Sequence, residues 1–213
     1  MQTGNLLLYY LKPNPVFERT ITFPSALASV DWLSHDKLIV SAVPMPSSNG
    51  INIVHTKNEE EKINSLELPV PKHPLYGLQL VSTSVDKILL AGIFINIITI
   101  IDNKTNQINY FSLKDLPQKS PEQDSFEDPL FGQIMLPSDI LIFDIAQHDT
   151  LWFILTASSD LSTPQRWLWI FSYPETRPAT LWKLSYAARS LAVHDRKVYI
   201  LDREGLRLYI YTW

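Results

Sequence analysis

The chain of 213 residues contains no cysteine, only six glycines against fifteen prolines, and no cluster of lysine and arginine. Without cysteine, a disulfide framework and a thiolate metal site are both excluded. Because glycine is scarce, the turns must be formed mainly by Asp, Asn, Ser and Pro. The net charge is −4, with 18 basic and 22 acidic residues, so the composition gives no support for direct nucleic-acid binding.

Long hydrophobic runs are also missing. The most apolar segment, Ile88 to Ile101, is too short to span a bilayer and is rich in β-branched residues. The first eleven residues lack the basic region that opens a secretory signal. We therefore expect a cytoplasmic or nuclear protein that does not contact a membrane.

One pattern recurs four times along the chain: an alternating apolar run, a tight turn that contains an aspartate, and a second apolar run. The aspartates are Asp36, Asp86, Asp149 and Asp195, separated by 50, 63 and 46 residues. A period of about 40–50 residues built from short strands is typical of β-propeller blades. The sequence therefore predicts an all-β chain.

Alternation and turn residues divide the chain into blades. Three full four-stranded blades are predicted, over 25–70, 71–117 and 139–186. A partial blade over 1–24 holds a third and a fourth strand, and a partial blade over 187–213 lacks its fourth strand. This division contains 17 strands.

The longest interval between two aspartate turns contains an insertion over 118–138, rich in Pro, Glu and Asp. It also carries an apolar patch at Leu130–Phe131 and Ile134–Leu136. Insertions of this length inside a compact repeat are either mobile or functional. We consider two interpretations, a mobile loop and an ordered docking segment.

Several phrases resemble the blades of WD40 propellers. Asp202–Tyr211 and Thr3–Lys12 are similar to the passage from the second to the third strand of such a blade, and Ile98–Thr105 is similar to the third strand and its turn. No Trp-Asp closes a third strand and no Gly-His opens a blade, so the match departs from the family pattern at its most specific residues.

The resemblance implies a WD40-like β-propeller. In that family a strand from the N-terminus completes the last blade, which agrees with a final blade of three strands. A start at a third strand leaves two strands of the first blade unaccounted for. We therefore interpret the chain as the C-terminal part of a larger propeller; the alternative is a small four- or five-bladed ring that closes on itself.

Three histidines stand beside aspartates in the blade turns: His35-Asp36, His148-Asp149 and His194-Asp195. One interpretation is a ring of metal ligands, as in metal-dependent propeller hydrolases. The other is structural, because Asp in a hairpin turn bonds its own backbone. Repetition in successive blades favours the structural role.

Asp31 and Asp144 occupy corresponding places in the first strands of two blades, where they would either bind a cation in a channel or form structural hydrogen bonds. Trp167 and Trp169 alternate with Leu168 and must face one side of a strand, for packing or for a partner. No nucleophile elbow or phosphate-binding glycine loop occurs. We predict no catalytic, cofactor-binding or metal-binding residue.

The function predicted from these observations is a non-catalytic scaffold that mediates protein–protein interaction within a larger complex, with protein partners and no cofactor. Two alternatives stay open. Leu136–Ala146 followed by Thr150–Leu155, and Phe17–Pro24 with Lys37–Ser41, resemble the non-catalytic WD-repeat subunit of tRNA guanine-N7 methyltransferase. The other alternative is a metal-dependent propeller hydrolase.

Overall fold

The computed structural model describes residues 4–10, 13–43, 50–56, 63–66, 77–84, 86–116, 125–128, 132–135, 140–172, 178–202 and 204–213. These ranges contain nineteen β-strands and no helix, so the prediction of an all-β chain is confirmed. With no helix among them, the same residues also offer none long and apolar enough to cross a membrane. The chain divides into two compact units, residues 1–79 and 80–213.

The first unit contains two antiparallel sheets. β1 (Gly4–Tyr10) pairs with β2 (Val16–Phe23), with a bulge between Leu8 and Tyr9. The second sheet has four strands in chain order, β3 (Leu27–Ser34), β4 (Lys37–Ala42), β5 (Ile51–His55) and β6 (Ile63–Ser65).

The two sheets of the first unit share one hydrophobic core. Leu8, Ile21 and Phe23 from the β1–β2 sheet pack in a buried cluster with Leu38 and Val40 of β4 and Val54 of β5. Alternation explains the cluster, since residues two apart on a strand point to the same face.

The second unit contains two more four-stranded sheets, a hairpin and a three-stranded sheet, all antiparallel and each with its strands in chain order. The first sheet comprises β7 (Gln79–Thr83), which begins at the last residue of the first unit, β8 (Lys87–Gly92), β9 (Ile98–Asp102) and β10 (Ile108–Phe111). The hairpin comprises β11 (Ser125–Asp128) and β12 (Gly132–Met135). The next sheet comprises β13 (Ile142–His148), β14 (Leu151–Ala157), β15 (Arg166–Ser172) and β16 (Pro178–Leu184), and the last comprises β17 (Ala188–His194), β18 (Lys197–Asp202) and β19 (Arg207–Thr212).

The β13–β16 sheet lies between two hydrophobic cores, one on each face. On β14, Trp152 and Ile154 belong to the cluster shared with the β7–β10 sheet. Phe153 and Leu155 alternate with them and belong to the cluster shared with the β17–β19 sheet. Burial on both faces accounts for the continuous apolar run of this strand, in contrast to the alternating pattern of a sheet that faces water on one side.

Two features differ from the sequence prediction. Alternation in the sequence predicts a third strand over Ile95–Ile101. This prediction is wrong at the start of the strand, because β9 begins at Ile98. Asn96 is buried just before it, and its amide donates to the carbonyls of Leu113 and Leu116 at 2.8 and 2.9 Å while its oxygen accepts from the Leu113 N–H. At Asn96 the chain is therefore held by hydrogen bonds from this side chain to the backbone of Leu113 and Leu116, and it does not form a strand.

The second difference is the hairpin β11–β12, which lies inside the insertion over 118–138. Its four register pairs run from Ser125 opposite Met135 to Asp128 opposite Gly132. The sequence did not predict these two strands, which bring the total in the described residues from 17 to 19. The blade boundaries themselves stay a prediction.

Candidate functional site

The His-Asp turns lie at hairpin corners, and each histidine lies beside the aspartate that follows it in the sequence. The His–Asp nitrogen-to-oxygen distances are 3.7 Å for His35, 3.7 Å for His148 and 3.2 Å for His194. Across the ranges that the structure describes, no three His, Asp or Glu side chains come together in a way that could hold a metal ion. The geometry therefore adds nothing to the hydrolase interpretation.

What these turns do is close the hairpins. Asp149 and Asp195 adopt the left-handed region, at φ 52° and 46°, which Asp tolerates better than most residues. In another turn, the Ser34 hydroxyl donates to Asp36 Oδ1 at 2.7 Å. These are the local backbone and side-chain roles that the structural interpretation predicts.

The turn carbonyls also tie the hairpin to the end of the third strand. The Asp36 carbonyl accepts from the Thr56 N–H at 2.8 Å, the Asp86 carbonyl from Asn103 at 2.9 Å, and the Arg196 carbonyl from Trp213 at 3.2 Å. The same link recurs in three sheets. A contact repeated in this way serves the blade rather than a ligand.

Asp144 follows a bulge in β13 and has both carboxylate oxygens engaged by backbone. Oδ1 accepts from the Ile145 N–H at 2.9 Å, and Oδ2 accepts from the Leu191 N–H of β17 at 2.8 Å. Burial raises the pKa of this carboxyl, against the lowering effect of the two hydrogen bonds and of Arg189. Asp144 thus joins two neighbouring sheets.

Asp31 in β3 accepts from the Trp32 N–H through Oδ1 at 2.8 Å. The prediction that it corresponds to Asp144 is wrong, because Asp31 stands opposite the third residue of β4, whereas Asp144 stands opposite the fifth residue of β14. It forms with the next residue the same bond that Asp144 forms with Ile145. The structure therefore shows structural hydrogen bonds at both aspartates.

Trp167 and Trp169 lie on the same face of β15, as predicted. Their rings meet edge to face with centroids 5.7 Å apart, and both are buried. The Trp169 indole N–H donates to Thr156 Oγ1 at 3.0 Å. Packing is therefore confirmed as their role, and the alternative of an exposed aromatic patch is wrong.

Apart from Ile108 and Tyr110 of β10, the large exposed apolar side chains lie on the first three strands and on the last sheet. The N-terminal group lies on β1, β2 and β3 and consists of Leu7, Tyr9, Val16, Phe17, Val30 and Trp32. The C-terminal group lies on β18, β19 and the turn between them and consists of Leu201, Leu206, Leu208 and Ile210. Where exposed apolar side chains share one face of a sheet, they mark an interaction site.

The C-terminal group forms one face of the last sheet. Leu201 and Leu208 stand directly opposite each other across β18 and β19, and Ile210 is two residues further along the same face. The other face, with Val198 and Ile200, packs in the core. Sequence reasoning missed this group because alternation identifies both faces of a strand but not which of them a neighbour covers.

Comparison with solved structures finds many propellers. The RRP9 WD40 repeats align with a TM-score of 0.56 at 9% identity, over 98% of this chain and 59% of theirs. BamB from Moraxella catarrhalis aligns with a TM-score of 0.51 at 9% identity, over 94% of this chain and 48% of its own. The computationally designed Ika4 protein aligns with a TM-score of 0.53 at 9% identity, over 89% of this chain and 92% of its own.

The chain therefore spans about half the length of these two natural propellers. No protein-family model matches the sequence. No curated protein matches it either. At this level of identity the similarity concerns the fold alone.

Proposed function

We propose that this chain, whose fold is that of a WD40-like β-propeller, is a non-catalytic scaffold that binds other proteins within a larger complex. The observation that carries the proposal is the C-terminal apolar group on the last sheet, Leu201, Leu206, Leu208 and Ile210, all exposed. Such surface is costly in water and is favourable when a partner covers it.

The position of this group suits protein binding. Leu208 and Ile210 lie on β19, which pairs only with β18 among the described strands. An edge strand offers backbone N–H and C=O groups to an incoming strand, and alternating side chains add specificity. A partner segment would therefore gain main-chain hydrogen bonds and apolar contacts together.

The hydrolase alternative finds no comparable support. The oxygens of Asp144 accept backbone N–H groups, and the His-Asp turns are separate hairpin corners. The tRNA methyltransferase alternative depends on short sequence phrases, and no contact described above adds to it. Both alternatives, and the cytoplasmic or nuclear location, stay predictions.

A co-purification from cells that express the natural protein tests the proposal. We expect the tagged chain to recover a stoichiometric protein partner, and the double variant Leu208→Glu/Ile210→Glu to lose it. The matched control is Ile108→Glu/Tyr110→Glu, which places the same charges on exposed apolar residues of β10 and should keep the partner.

Equal partner recovery by both double variants would remove the C-terminal group as the binding surface. Metal analysis of the purified chain provides a second readout. A tightly held divalent ion that is lost in Asp144→Ala would favour the hydrolase alternative.

A further inference from the structure

We propose that Arg166 and Arg189, held beside the ring of Phe143, form a binding site for an oxyanion, namely the carboxylate or phosphate groups of an acidic peptide segment in a partner protein. The inference rests on the proposed scaffold function and adds the chemistry of one segment that the scaffold would bind. It concerns the two adjoining sheets β13–β16 and β17–β19, and it uses none of the residues of the C-terminal apolar group.

Two β-bulges place Phe143 and Arg189 at equivalent points of these sheets. Each is the extra residue of a first strand, between the residues that stand opposite the sixth and the fifth position of the second strand. A bulge re-aims the side chain of its extra residue. Here the two side chains converge, with Arg189 Cζ 5.6 Å from the centroid of the Phe143 ring.

The hydrogen bonds of Asp144 fix this arrangement. Asp144 directly follows Phe143, and its Oδ2 accepts at 2.8 Å from the N–H of Leu191, which stands two residues after Arg189. The two first strands are therefore held together next to their bulges, which limits the movement of both side chains.

Arg166 reaches the same ring from the start of β15. Its Cζ lies over Phe143, 4.2 Å from the ring centroid, and its Nη1 donates to the carbonyls of Thr163 and Gln165 at 3.3 and 2.9 Å. β13 and β15 both pair antiparallel with β14, so they begin at the same end of the sheet. Three strands, β13, β15 and β17, thus bring two guanidinium groups to one phenyl ring.

Both guanidinium groups have N–H donors left over. Arg166 Nε is buried and has no hydrogen-bond partner. In the part of the chain that the structure describes, no carboxylate forms an ion pair with Arg166 or Arg189. An arginine that stacks on an aromatic ring keeps the edges of its planar group for hydrogen bonds. A carboxylate or a phosphate fits such an edge, since it can accept two parallel N–H bonds.

Two carboxylates act on the arginines from beyond ion-pair distance. Asp144 is attracted by Arg189, but both of its oxygens already accept backbone N–H groups. Glu204 is exposed. Burial lowers the pKa of Arg166, while Glu204 raises it and Arg189 lowers it. A bound oxyanion would offset the repulsion between the two arginines and the cost of burying one of them.

The β3–β6 sheet provides an internal comparison. Its first strand has a bulge at the same register, and the extra residue there is Ala28. The bulge is thus a feature that the sheets share, whereas the ring and the guanidinium at the bulges of β13 and β17 are particular to these two strands. The shared backbone geometry needs neither side chain.

An acidic peptide fits this site better than a nucleic acid does. The net charge of the chain is −4, so attraction of an anion depends on local charge. Nucleic-acid backbones are bound by several cations that follow successive phosphates. Two guanidinium groups at one ring suit one or two acidic side chains, in the way that arginine clusters recognise acidic and phosphorylated motifs.

The test measures binding of fluorescent peptides to the purified full chain by fluorescence anisotropy. The probes are an oligoglutamate peptide, a peptide of the same length that contains phosphoserines, and an oligoglutamine peptide as the neutral control. We expect both acidic probes to bind and the neutral probe not to bind. The acidic probe that binds more tightly identifies carboxylate or phosphate as the preferred group.

Arg166→Gln and Arg189→Gln should each weaken binding of the acidic probes about tenfold or more. Arg189→Gln is the cleaner variant, because the Arg189 side chain forms no hydrogen bond with another described residue, and its thermal unfolding should match that of the parent. Arg189→Lys should restore only part of the affinity, since lysine keeps the charge but lacks the planar fork. The matched control is Arg196→Gln, which removes the same charge from the exposed turn after the other end of β17 and should keep the affinity.

The proposal is wrong if neither acidic probe binds at about 1 mM, or if Arg189→Gln binds them as tightly as the parent. An equal loss of affinity in Arg196→Gln would also overturn it, because the attraction would then be diffuse. Tighter binding of a single-stranded oligonucleotide than of either peptide would assign the site to nucleic acid instead.

The acidic insertion of the chain itself is the remaining competitor for the site. Tighter peptide binding after the four acidic residues of 118–138 are replaced by their amides would show that this insertion is the occupant, and would overturn the assignment to a partner. All these measurements use the purified chain without a cellular partner. Their failure is therefore distinguishable from failure of the Leu208→Glu/Ile210→Glu co-purification.

Discussion

β3 and β17 are the first strands of two sheets that both have their strands in chain order. The face that carries Val30 on β3 and Leu191 on β17 is exposed in the first sheet and buried in the second. On β17, Leu191 is buried against the preceding sheet, whereas Val30 on β3 is 43% exposed. The residues are similar in hydrophobicity, and their partners on the second strand are both fully buried. The difference teaches that coverage by the neighbouring sheet, rather than the strand's own composition, decides burial here.

The largest expected effect comes from truncating the two equivalent residues. Leu191→Ala should lower the free energy of unfolding by about 2–4 kcal/mol, because it removes buried methyl groups and leaves a cavity. Val30→Ala should change it by no more than about 0.5 kcal/mol, since Val30 is 43% exposed and its truncation leaves no enclosed cavity. Urea denaturation of both variants measures the difference. Equal losses would show that Val30 is covered in solution.

A smaller effect is expected at the sheet-to-sheet link formed by Asp144. Asp144→Ala should lower the free energy of unfolding by about 1–3 kcal/mol, because it leaves the Leu191 N–H without its acceptor. Asp86→Ala is the matched control. Among the described residues, it removes an exposed ion pair with Lys104 at 2.8 Å, which is worth about 0–1 kcal/mol. A cost at Asp144 no larger than at Asp86 would contradict the importance of this link.

The repeated turns offer a third comparison. Both central residues of the last turn, Asp195 and Arg196, have positive φ, at 46° and 58°, whereas Asp36 does not. Glycine relieves the left-handed strain, so Arg196→Gly should raise stability by about 0.5–1 kcal/mol. Asp36→Gly should lower it, because the hydrogen bond from Ser34 is lost. Thermal unfolding of the two variants should therefore move in opposite directions.

The smallest effect concerns the ion pair at the ends of β8 and β9. Lys87 foremost, together with the Thr105 and Lys104 N–H groups, holds the pKa of Asp102 well below its usual range. A lowered folded-state pKa adds stability that is present above the unfolded value of about 3.9 and is lost as the pH falls.

Asp102→Asn should therefore be less stable than the parent at pH 7, with a gap that narrows below about pH 4. Urea denaturation at both pH values measures this gap. When Lys87 is replaced by Met, the difference in stability between the proteins with and without Asp102→Asn should also become smaller at pH 7. The reason is that the interaction with Lys87, the main cause of the lowered pKa of Asp102, is then absent. A gap that does not change with pH would contradict the assignment.

Much of the fold was predictable because the alternation of apolar and polar residues along a strand involves only residues that are close together in the sequence. The alternation of Trp167, Leu168 and Trp169 placed the two indoles on one face, and the aspartate turns marked hairpin corners. The start of β9 was not predictable. Asn96 lies within a run of isoleucines, and its partners Leu113 and Leu116 are distant in sequence.

The candidate interaction surfaces were less predictable than the strands. Nothing in the local pattern around Val30 distinguishes it from the buried Ile145, since each is an apolar residue next to an aspartate in a first strand. The same holds for Leu208 and Ile210 on β19. Their exposure depends on which strands stand beside and above them, which is a property of the assembled sheets.

By itself the sequence determined the all-β class, the repeated unit and the turns, because each depends on residues close together in the chain. It also excluded thiolate chemistry, because the chain contains no cysteine. Tertiary structure alone decided which apolar faces are covered, and it engaged the Asp144 carboxylate with backbone N–H groups. Burial and long-range hydrogen bonding join residues from separate sheets, and no local pattern contains that pairing.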